Sequence, residues 1–289
     1  MATFINLPTP QFARGTKKGC AALGYKQYAN NGNAFYTLAQ AQSVLTNGGF
    51  HYWYDYTIPS SGDVLPTGGT YIPMFWDLAG QQYTGAPAFN STNIGLAVQY
   101  AGNGGYIMFL NEAYNGTPGV NAGAVDPTVA ATNWDILATD SRVIAANIKL
   151  ISPVWTDTAG AETWFATFWN AITSRKPDLI SVHKYAGTTQ NSTQAANGIL
   201  GALATLRGAY PRFPYVLTEF AMQPQPTDQQ QQDFLATLLP LLEEEYWLQF
   251  YNFFWCGPAT ITGLGGLTDH LYNDNATATV VGTSYASYP

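Results

Sequence analysis

Charged side chains are scarce in this sequence, and cations are scarcer than anions. Only 10% of the 289 residues are charged, with 11 Lys and Arg against 18 Asp and Glu, so the net charge is −7. An average soluble domain has roughly 25% charged residues. A chain with so few cations cannot form a long basic groove, which argues against binding to nucleic acid or to an anionic membrane surface.

Cysteine, histidine and long apolar runs are also few. Cys20 and Cys256 are the two cysteines, and they allow either one disulfide or two buried free thiols. His51, His183 and His270 are scattered along the chain and form no pair at metal-ligating spacing, so we predict neither a metal nor a cofactor. No apolar run approaches the ~18 residues of a membrane-spanning helix.

Aromatic residues, by contrast, are abundant. They make up 15% of the chain, with 8 Trp and 19 Tyr. We expect most of them to pack in the core. Trp and Tyr on loops can also stack on the apolar faces of sugar rings while their polar edges stay hydrated.

Short apolar runs alternate with helical patterns along the whole chain, which is typical of βαβ units and a parallel sheet. We predict eight strands, at residues 19–24, 50–54, 71–76, 105–111, 147–152, 179–183, 215–218 and 249–255. Eight is the number that a closed barrel needs. The sequence therefore predicts an α/β protein with a single (β/α)8 barrel (TIM barrel) domain over residues 1–289.

The predicted helices carry recognisable end signals. Asp126 followed by Pro127 predicts the start of a helix that continues to about residue 146. Thr227 with Gln230 forms a capping-box pattern for a helix over 228–245, which Pro240 should kink. An open doubly wound sheet is the competing fold. It usually carries a glycine-rich nucleotide loop after its first strand, and residues 25–33 contain no such motif.

Two glutamates follow apolar strands at the points where function is expected in such a barrel. The fourth predicted strand ends in Asn111-Glu112 and the seventh in Thr218-Glu219. Active sites of these barrels lie at the carboxyl ends of the strands, so both side chains should point across one mouth. Paired carboxylates suit glycosidic bond cleavage, because one protonates the leaving oxygen while the other attacks or activates water. With 11 cations in the chain, structural ion pairs are the less favoured explanation.

Several short stretches at predicted strand ends carry a resemblance to known enzymes. They are Lys17-Lys18-Gly19, Trp53-Tyr54, Tyr71-Ile72-Pro73-Met74-Phe75-Trp76, Leu110-Asn111-Glu112-Ala113, Ser152-Pro153, His183-Lys184-Tyr185, Phe213-Pro214, Thr218-Glu219-Phe220 and Trp255. The set resembles the clan of retaining (β/α)8 glycosidases, and within it glycoside hydrolase family 128, which contains endo-β-1,3-glucanases. Ala113 stands where that family usually has proline and Lys184 where it has an aromatic residue, which affects the subfamily and the substrate more than the chemistry.

The resemblance implies a hydrolase that cleaves β-1,3-glucan by retaining double displacement, with Glu112 as acid/base and Glu219 as nucleophile. Glu112 must then hold a proton when substrate binds, while Glu219 stays ionised. The remaining residues implied in substrate binding are Asn111 on the sugar 2-hydroxyl, His183 and Tyr185 lining the cleft and orienting a carboxylate, and Trp53, Tyr54, Trp76 and Trp255 as sugar platforms, with Tyr114 and Trp155 ranked below them. For the four platform residues, core packing is an open alternative.

Other functions remain open at this stage. The chain could hydrolyse another β-glycan of the same clan, bind β-glucan without catalysis, or serve as a structural barrel protein in a phage particle. Four Asn-x-Ser/Thr sites, at Asn90, Asn115, Asn191 and Asn275, favour a secreted protein, although no signal peptide is recognisable. We expect a monomer whose partner is a polysaccharide or oligosaccharide.

Overall fold

The structure is a computed structural model that describes residues 12–25, 36–79, 87–114, 125–257 and 270–288. The strands are β1 (Lys18–Ala21), β2 (Tyr52–Tyr54), β3 (Thr70–Tyr71), β4 (Met74–Phe75), β5 (Tyr106–Phe109), β6 (Lys149–Ile151), β7 (Trp155–Thr156), β8 (Ile180–Gly187), β9 (Tyr215–Gln223) and β10 (Leu248–Phe253). The helices are α1 (Leu38–Gly48), α2 (Ser91–Ala101), α3 (Pro127–Thr139), α4 (Ser141–Ala145), α5 (Ala161–Ala171), α6 (Ser192–Ala209), α7 (Asp228–Glu244) and α8 (Val280–Ser287).

All pairings between these strands are parallel, and together they close a ring. One sheet has the order β3-β2-β1-β10-β9-β8-β7 and the other the order β4-β5-β6. β3 and β4 occupy the third barrel position and β6 and β7 the fifth. Backbone contacts join the two sheets: Met74 N on β4 donates to Thr57 O, just after β2, at 3.0 Å, and Ile151 on β6 bridges to Leu179, just before β8. The predicted (β/α)8 barrel is therefore confirmed.

The first and last strands meet at one seam of this ring. β1 pairs with β10 on one side and with β2 on the other. Helix α8 covers the seam, where the Tyr285 hydroxyl donates to Gly19 O at 2.9 Å. Lys18 Nζ donates to Ala286 O at 3.0 Å, at the carboxyl end of α8. The segment after the last strand thus holds the first strand in place.

The helix ends largely follow the predicted signals. Asp126 caps α3 with proline at the first turn, and Thr227 and Gln230 form the predicted capping box of α7, which contains Pro240. The predicted long helix 126–146 is wrong, because Asp140 has an extended backbone and caps a second helix through Arg142 N. Residues 59–69 form a loop between β2 and β3.

Two of the four Asn-x-Ser/Thr sites begin helices. Asn90 caps α2 by accepting from Asn93 N at 3.0 Å, and Asn191 caps α6 by accepting from Gln194 N at 2.9 Å. Asn275 accepts from Thr277 N within a turn, and Asn115 lies outside the described residues. Helix and turn formation therefore accounts for three of these asparagines without glycosylation.

Cys20 and Cys256 are both buried and both free. Burial, with Cys256 beside it, raises the pKa of the Cys20 thiol. Of the two alternatives that the sequence leaves open, the structure has the pair of buried thiols. None of the helices in the described ranges combines the length and the apolar character needed to cross a bilayer.

Candidate active site

Glu112 and Glu219 come together at the mouth of the barrel, with His183 between them. Glu112 follows β5, His183 lies on β8 and Glu219 on β9. His183 Nδ1 lies 2.9 Å from Glu112 Oε1, in hydrogen-bonding geometry. His183 Nε2 lies 3.3 Å from Glu219 Oε1, but it makes no well-formed hydrogen bond with any described group. The imidazole therefore spans the space between the two carboxylates.

The chain turns sharply where it delivers Glu112. Leu110 and Glu112 both have positive φ, at 56° and 39°, a region that branched and long side chains rarely adopt. Asn111 between them is held by its backbone N–H, which donates to Trp76 O at 3.0 Å. Backbone in such regions costs on the order of 1–3 kcal/mol per residue and is often found at functional sites.

Three tyrosine hydroxyls surround the carboxylate of Glu219. Tyr54 donates to Oε1 at 3.0 Å, Tyr56 donates to the same oxygen, and Tyr185 donates to Oε2. Among the described residues no Lys or Arg forms an ion pair with Glu219; His183 is its cationic partner when protonated. Neutral hydroxyl donors thus supply most of the polar environment of this buried group.

Sequence reasoning missed Tyr56. The available signal was the run of aromatic residues that ends the second predicted strand and continues past it. Tyr54, which the sequence suggests as a sugar platform, is fully buried. Its hydroxyl instead reaches Glu219, so the structure gives it contact with a carboxylate rather than an exposed ring face.

The electrostatic environment acts on Glu219 in opposite directions. Burial raises its pKa, and the neighbouring Glu112 carboxylate raises it further. His183 and the hydroxyl donors Tyr185 and Tyr56 lower it, and the net direction is upward. The side chain of Glu112 is more exposed, at 17% against 5% for Glu219, so Glu112 faces the solvent side of the pair.

Besides His183 Nε2, two buried polar atoms on the residues that follow β4 and β5 have no hydrogen-bond partner among the described residues. They are Asn111 Oδ1 and Trp76 Nε1. Buried polar groups are nearly always paired in folded proteins, so an orphaned amide oxygen beside two carboxylates is an acceptor available to a ligand. This is consistent with the expectation that Asn111 contacts a sugar hydroxyl.

The other aromatic candidates differ in how deeply they are buried and in which side of the barrel wall they occupy. Trp53 is fully buried, with its ring 4.5 Å from that of Tyr71. Trp76 packs against Tyr56 at 4.9 Å and Trp255 against Phe254 at 5.5 Å, both inside the barrel mouth. Trp53 therefore has no ring face to offer a sugar in this structure.

Trp155 and Tyr114 lie beside α5. Trp155 lines an outer pocket of about 320 Å³ between α5 and α6, together with Phe165, Leu206 and Tyr210. Tyr114 lies next to Gly160, at the start of α5. Trp155 thus faces the helical layer instead of the carboxylate pair, and the structure gives no support to its predicted place in the cleft.

Lys184, which departs from the family pattern, forms an ion pair with Asp157 after β7. Since alternate residues of a strand point to opposite faces, Lys184 projects away from the side on which His183 and Tyr185 approach Glu219. The departure therefore leaves both of its neighbours in position.

One group of potential metal ligands occurs in the described part of the chain. Ligand atoms of Glu112, His183 and Glu219 all lie within 4.8 Å of one another. The two imidazole nitrogens, however, face different carboxylates, which is unlike a site where every group directs a ligand atom at one ion. That the protein works without a metal or cofactor stays a prediction.

Solved structures share this fold over nearly the whole chain. An endo-β-1,3-glucanase of GH128 subgroup II from Sorangium cellulosum is 22% identical, with a TM-score of 0.72, covering 94% of this chain and 98% of that chain. A GH128 subgroup I endo-β-1,3-glucanase from Amycolatopsis mediterranei, in complex with laminaripentaose, is 19% identical, with a TM-score of 0.71, covering 95% and 100%.

A GH128 subgroup III curdlan-specific exo-β-1,3-glucanase from Blastomyces gilchristii, in complex with glucose, is 20% identical, with a TM-score of 0.64, covering 94% and 97%. At these identities the likeness shows the fold. No curated protein matches the sequence. The family model of the glycosyl hydrolase catalytic core matches residues 30–285, which is most of the chain and includes both glutamates, so the protein belongs to the glycosyl hydrolase catalytic core family.

Proposed function

We propose that the protein is a retaining glycoside hydrolase that cleaves β-1,3-glucan, and that it belongs to family 128 within its clan. The observation that carries the proposal is the pair of facing carboxylates with His183 between them, on a fold shared with three β-1,3-glucanases. The substrate class comes from those similar structures and the reaction class from the family.

The spacing of the carboxylates supports the retaining mechanism. One oxygen of Glu112 and one of Glu219 lie within 4.8 Å. Retaining glycosidases hold their carboxyl groups ~5–5.5 Å apart, whereas inverting enzymes leave ~6.5–9.5 Å for a water molecule. An oxygen-to-oxygen separation within 4.8 Å is nearer to the retaining range than to the inverting range, which supports direct attack by one carboxylate.

The surroundings of each carboxylate support one assignment of roles. Glu219 is buried and accepts hydrogen bonds from three hydroxyls, which favour its ionised form and hold it as the nucleophile. Glu112 is more exposed, so it can exchange its proton with water and reach the leaving oxygen as acid/base. Asn111 would bind the sugar 2-hydroxyl through its free amide oxygen.

The reaction then has two balanced steps. A Glu219 oxygen attacks the anomeric carbon while the bond to the leaving oxygen breaks and the proton of Glu112 moves to that oxygen. In the second step Glu112 takes a proton from water, the water oxygen attacks the anomeric carbon, and the bond to Glu219 breaks. Glu112 is protonated again and Glu219 is again a carboxylate.

Reducing-sugar release from laminarin, curdlan, barley mixed-linkage glucan, cellulose, mannan and xylan tests the substrate. We expect activity on laminarin or curdlan that is lost in Glu112→Gln and Glu219→Gln. Glu244→Gln is the matched control, since Glu244 lies exposed on α7 and should retain full activity. Hydrolysis of another glycan alone would refute the substrate, and binding without any hydrolysis would refute the enzyme.

Azide rescue assigns the two roles. With an activated aryl β-glucoside, Glu112→Ala plus azide should give a β-glycosyl azide, because Glu219 still forms the covalent intermediate. Glu219→Ala plus azide should give the α-glycosyl azide by direct displacement. The opposite pattern of products would reverse the assignment.

We further propose that the whole chain is one catalytic domain that acts as an extracellular monomer. A polymeric glucan is encountered outside the cell, which supports the extracellular location. Activity in the culture supernatant and the mass measured by light scattering test the two statements.

A further inference from the structure

The proposed mechanism needs an ionised Glu219 at a place where ionisation is costly. The group is 4% exposed and lies beside the Glu112 carboxylate. In the described ranges it is not paired with any Lys or Arg, and His183, whose Nε2 lies 3.3 Å from Oε1, is its cationic neighbour when protonated. An ionised carboxylate in such a place is costly unless donors compensate for its lost hydration. Its ionisation therefore depends on His183 and on the hydroxyl groups that donate to it.

The donors are divided unequally between the two oxygens. Oε1 receives Tyr56 and lies 3.0 Å from the Tyr54 hydroxyl, while Oε2 receives Tyr185. The Tyr54 hydroxyl also lies 3.0 Å from Thr218 O. A single hydroxyl proton cannot serve both acceptors fully, so Tyr54 is a shared donor and Tyr56 contributes more to Oε1.

The position of Tyr56 is itself well determined. The side chain is buried, its ring packs edge-on against Tyr54 at 5.1 Å and Trp76 at 4.9 Å, and its backbone has a φ of 53°. A tyrosine residue pays a conformational cost to adopt this region, yet the turn is what directs its hydroxyl at Glu219.

We propose that Tyr56 is a positioning residue for the nucleophile, which holds Glu219 ionised and, with Tyr54, prevents its carboxylate from rotating. Neutral hydroxyls act here alongside His183, in the role that a lysine or arginine has at other buried carboxylates. This proposal rests on the proposed function, in which Glu219 attacks the sugar. The proposal also predicts how Glu219 titrates in the free protein, which can be measured without substrate turnover.

Tyr56→Phe tests the proposal, since it removes one oxygen and keeps the ring contacts. The ionisation of Glu219 is followed by ¹³C NMR of protein labelled at the glutamate side-chain carboxyl, with its signal assigned by its loss in Glu219→Gln. We expect the pKa of Glu219 to rise by roughly half to one unit. The acidic limb of the kcat/KM profile should move to higher pH by the same amount, so that kcat at low pH falls roughly three- to ten-fold with KM little changed.

Tyr251→Phe is the matched control. Tyr251 is also a fully buried tyrosine, and its hydroxyl donates to a carboxylate, Glu243 Oε1, at 2.7 Å, but it makes no contact with Glu219. It should leave the titration of Glu219 and the pH profile unchanged. Tyr54→Phe should raise the pKa of Glu219 by a smaller amount, and it replaces Tyr56→Phe as the test variant if Tyr56→Phe fails to fold.

Titration of Glu219 at its wild-type pKa in the folded variants would overturn the proposal even if the wild type hydrolyses glucan. A wild type that hydrolyses no glycan would instead refute the proposed function, while the NMR titration would still decide the role of Tyr56. The two failures are therefore distinguishable.

Discussion

Lys17 provides a test of how the barrel is held together at the base of its first strand. Its side chain is fully buried, and its ammonium donates to the carbonyls of Leu242 at 3.3 Å, Glu243 at 2.9 Å and Glu245 at 3.0 Å, at the carboxyl end of α7. Burial lowers the pKa of Lys17, although the Glu243 carboxylate opposes this. Lys17→Met would keep most of the stem and remove the charge.

The three contacts are not of equal value. Leu242 O also accepts from Glu245 N, and Glu245 O from Leu248 N, so the loss of Lys17 leaves the Glu243 carbonyl with the fewest partners. A buried carbonyl without a donor costs about 1–3 kcal/mol, and a lost cation at a helix carboxyl end costs about 0.3–1 kcal/mol. Because the ammonium no longer has to be desolvated, we expect a net loss of about 2 kcal/mol.

Urea unfolding followed by circular dichroism measures this loss, and Lys149→Met is its control. Lys149 begins β6, and the one hydrogen bond of its ammonium within the described ranges is to Asn147 Oδ1, at 3.4 Å. We expect the control to lie within about 0.5 kcal/mol of the wild type. Equal stability of the two variants would refute the view that Lys17 satisfies the end of α7.

Three further predictions concern the site and the seam. Because the pKa of Glu219 is raised in the folded state, the wild type should lose stability as the pH rises from the ordinary glutamate range through the raised value, and Glu219→Gln should not. Between about pH 4 and about pH 8, unfolding curves should therefore shift in favour of the variant by on the order of 1 kcal/mol per unit of pKa shift. Parallel pH dependences of the two proteins would contradict this. Asn111→Ala should lower kcat/KM about 10²-fold or more, since the contact of Asn111 with the sugar 2-hydroxyl strengthens in the transition state. The melting temperature should not fall, because Asn111 Oδ1 has no partner in the described structure. A matching loss of stability would make the role of Asn111 structural. Gly19→Ala should lower the free energy of unfolding by about 3 kcal/mol or more, or prevent folding, because the added Cβ would lie 2.1 Å from Asn252 Oδ1 and 2.6 Å from Tyr52 O. Normal expression with a wild-type melting temperature would contradict this packing.

The barrel could be predicted from the sequence because each barrel strand is a short apolar run that ends in polar residues. That rule also found Glu112 and Glu219, since a polar residue directly after an apolar parallel strand lies at the mouth. It was harder to predict which residues of a strand point into the barrel. Trp53 and Tyr54 are neighbours on β2 and must point to opposite faces, so they could not both line the cleft; Tyr54 points inward and Trp53 outward.

Tyr56 could not be predicted by the same rule, because it lies beyond the end of β2. Its hydroxyl reaches Glu219 through a turn with positive φ, which no periodic pattern encodes. The break between α3 and α4 was missed for a related reason. Asp140 lies within a continuous helical pattern, and its capping hydrogen bond competes with the helix only once the chain bends there.

The seam between β1 and β10 has a consequence for how the chain assembles. During synthesis β1 leaves the ribosome long before β10 and α8 exist. Until residues 248–288 emerge, β1 has β2 on one side only, and the ammonium of Lys18 has no helix end to bind. The strand made first is therefore among the last to be fixed, and the closed ring forms as a late event that joins the two ends of the described chain.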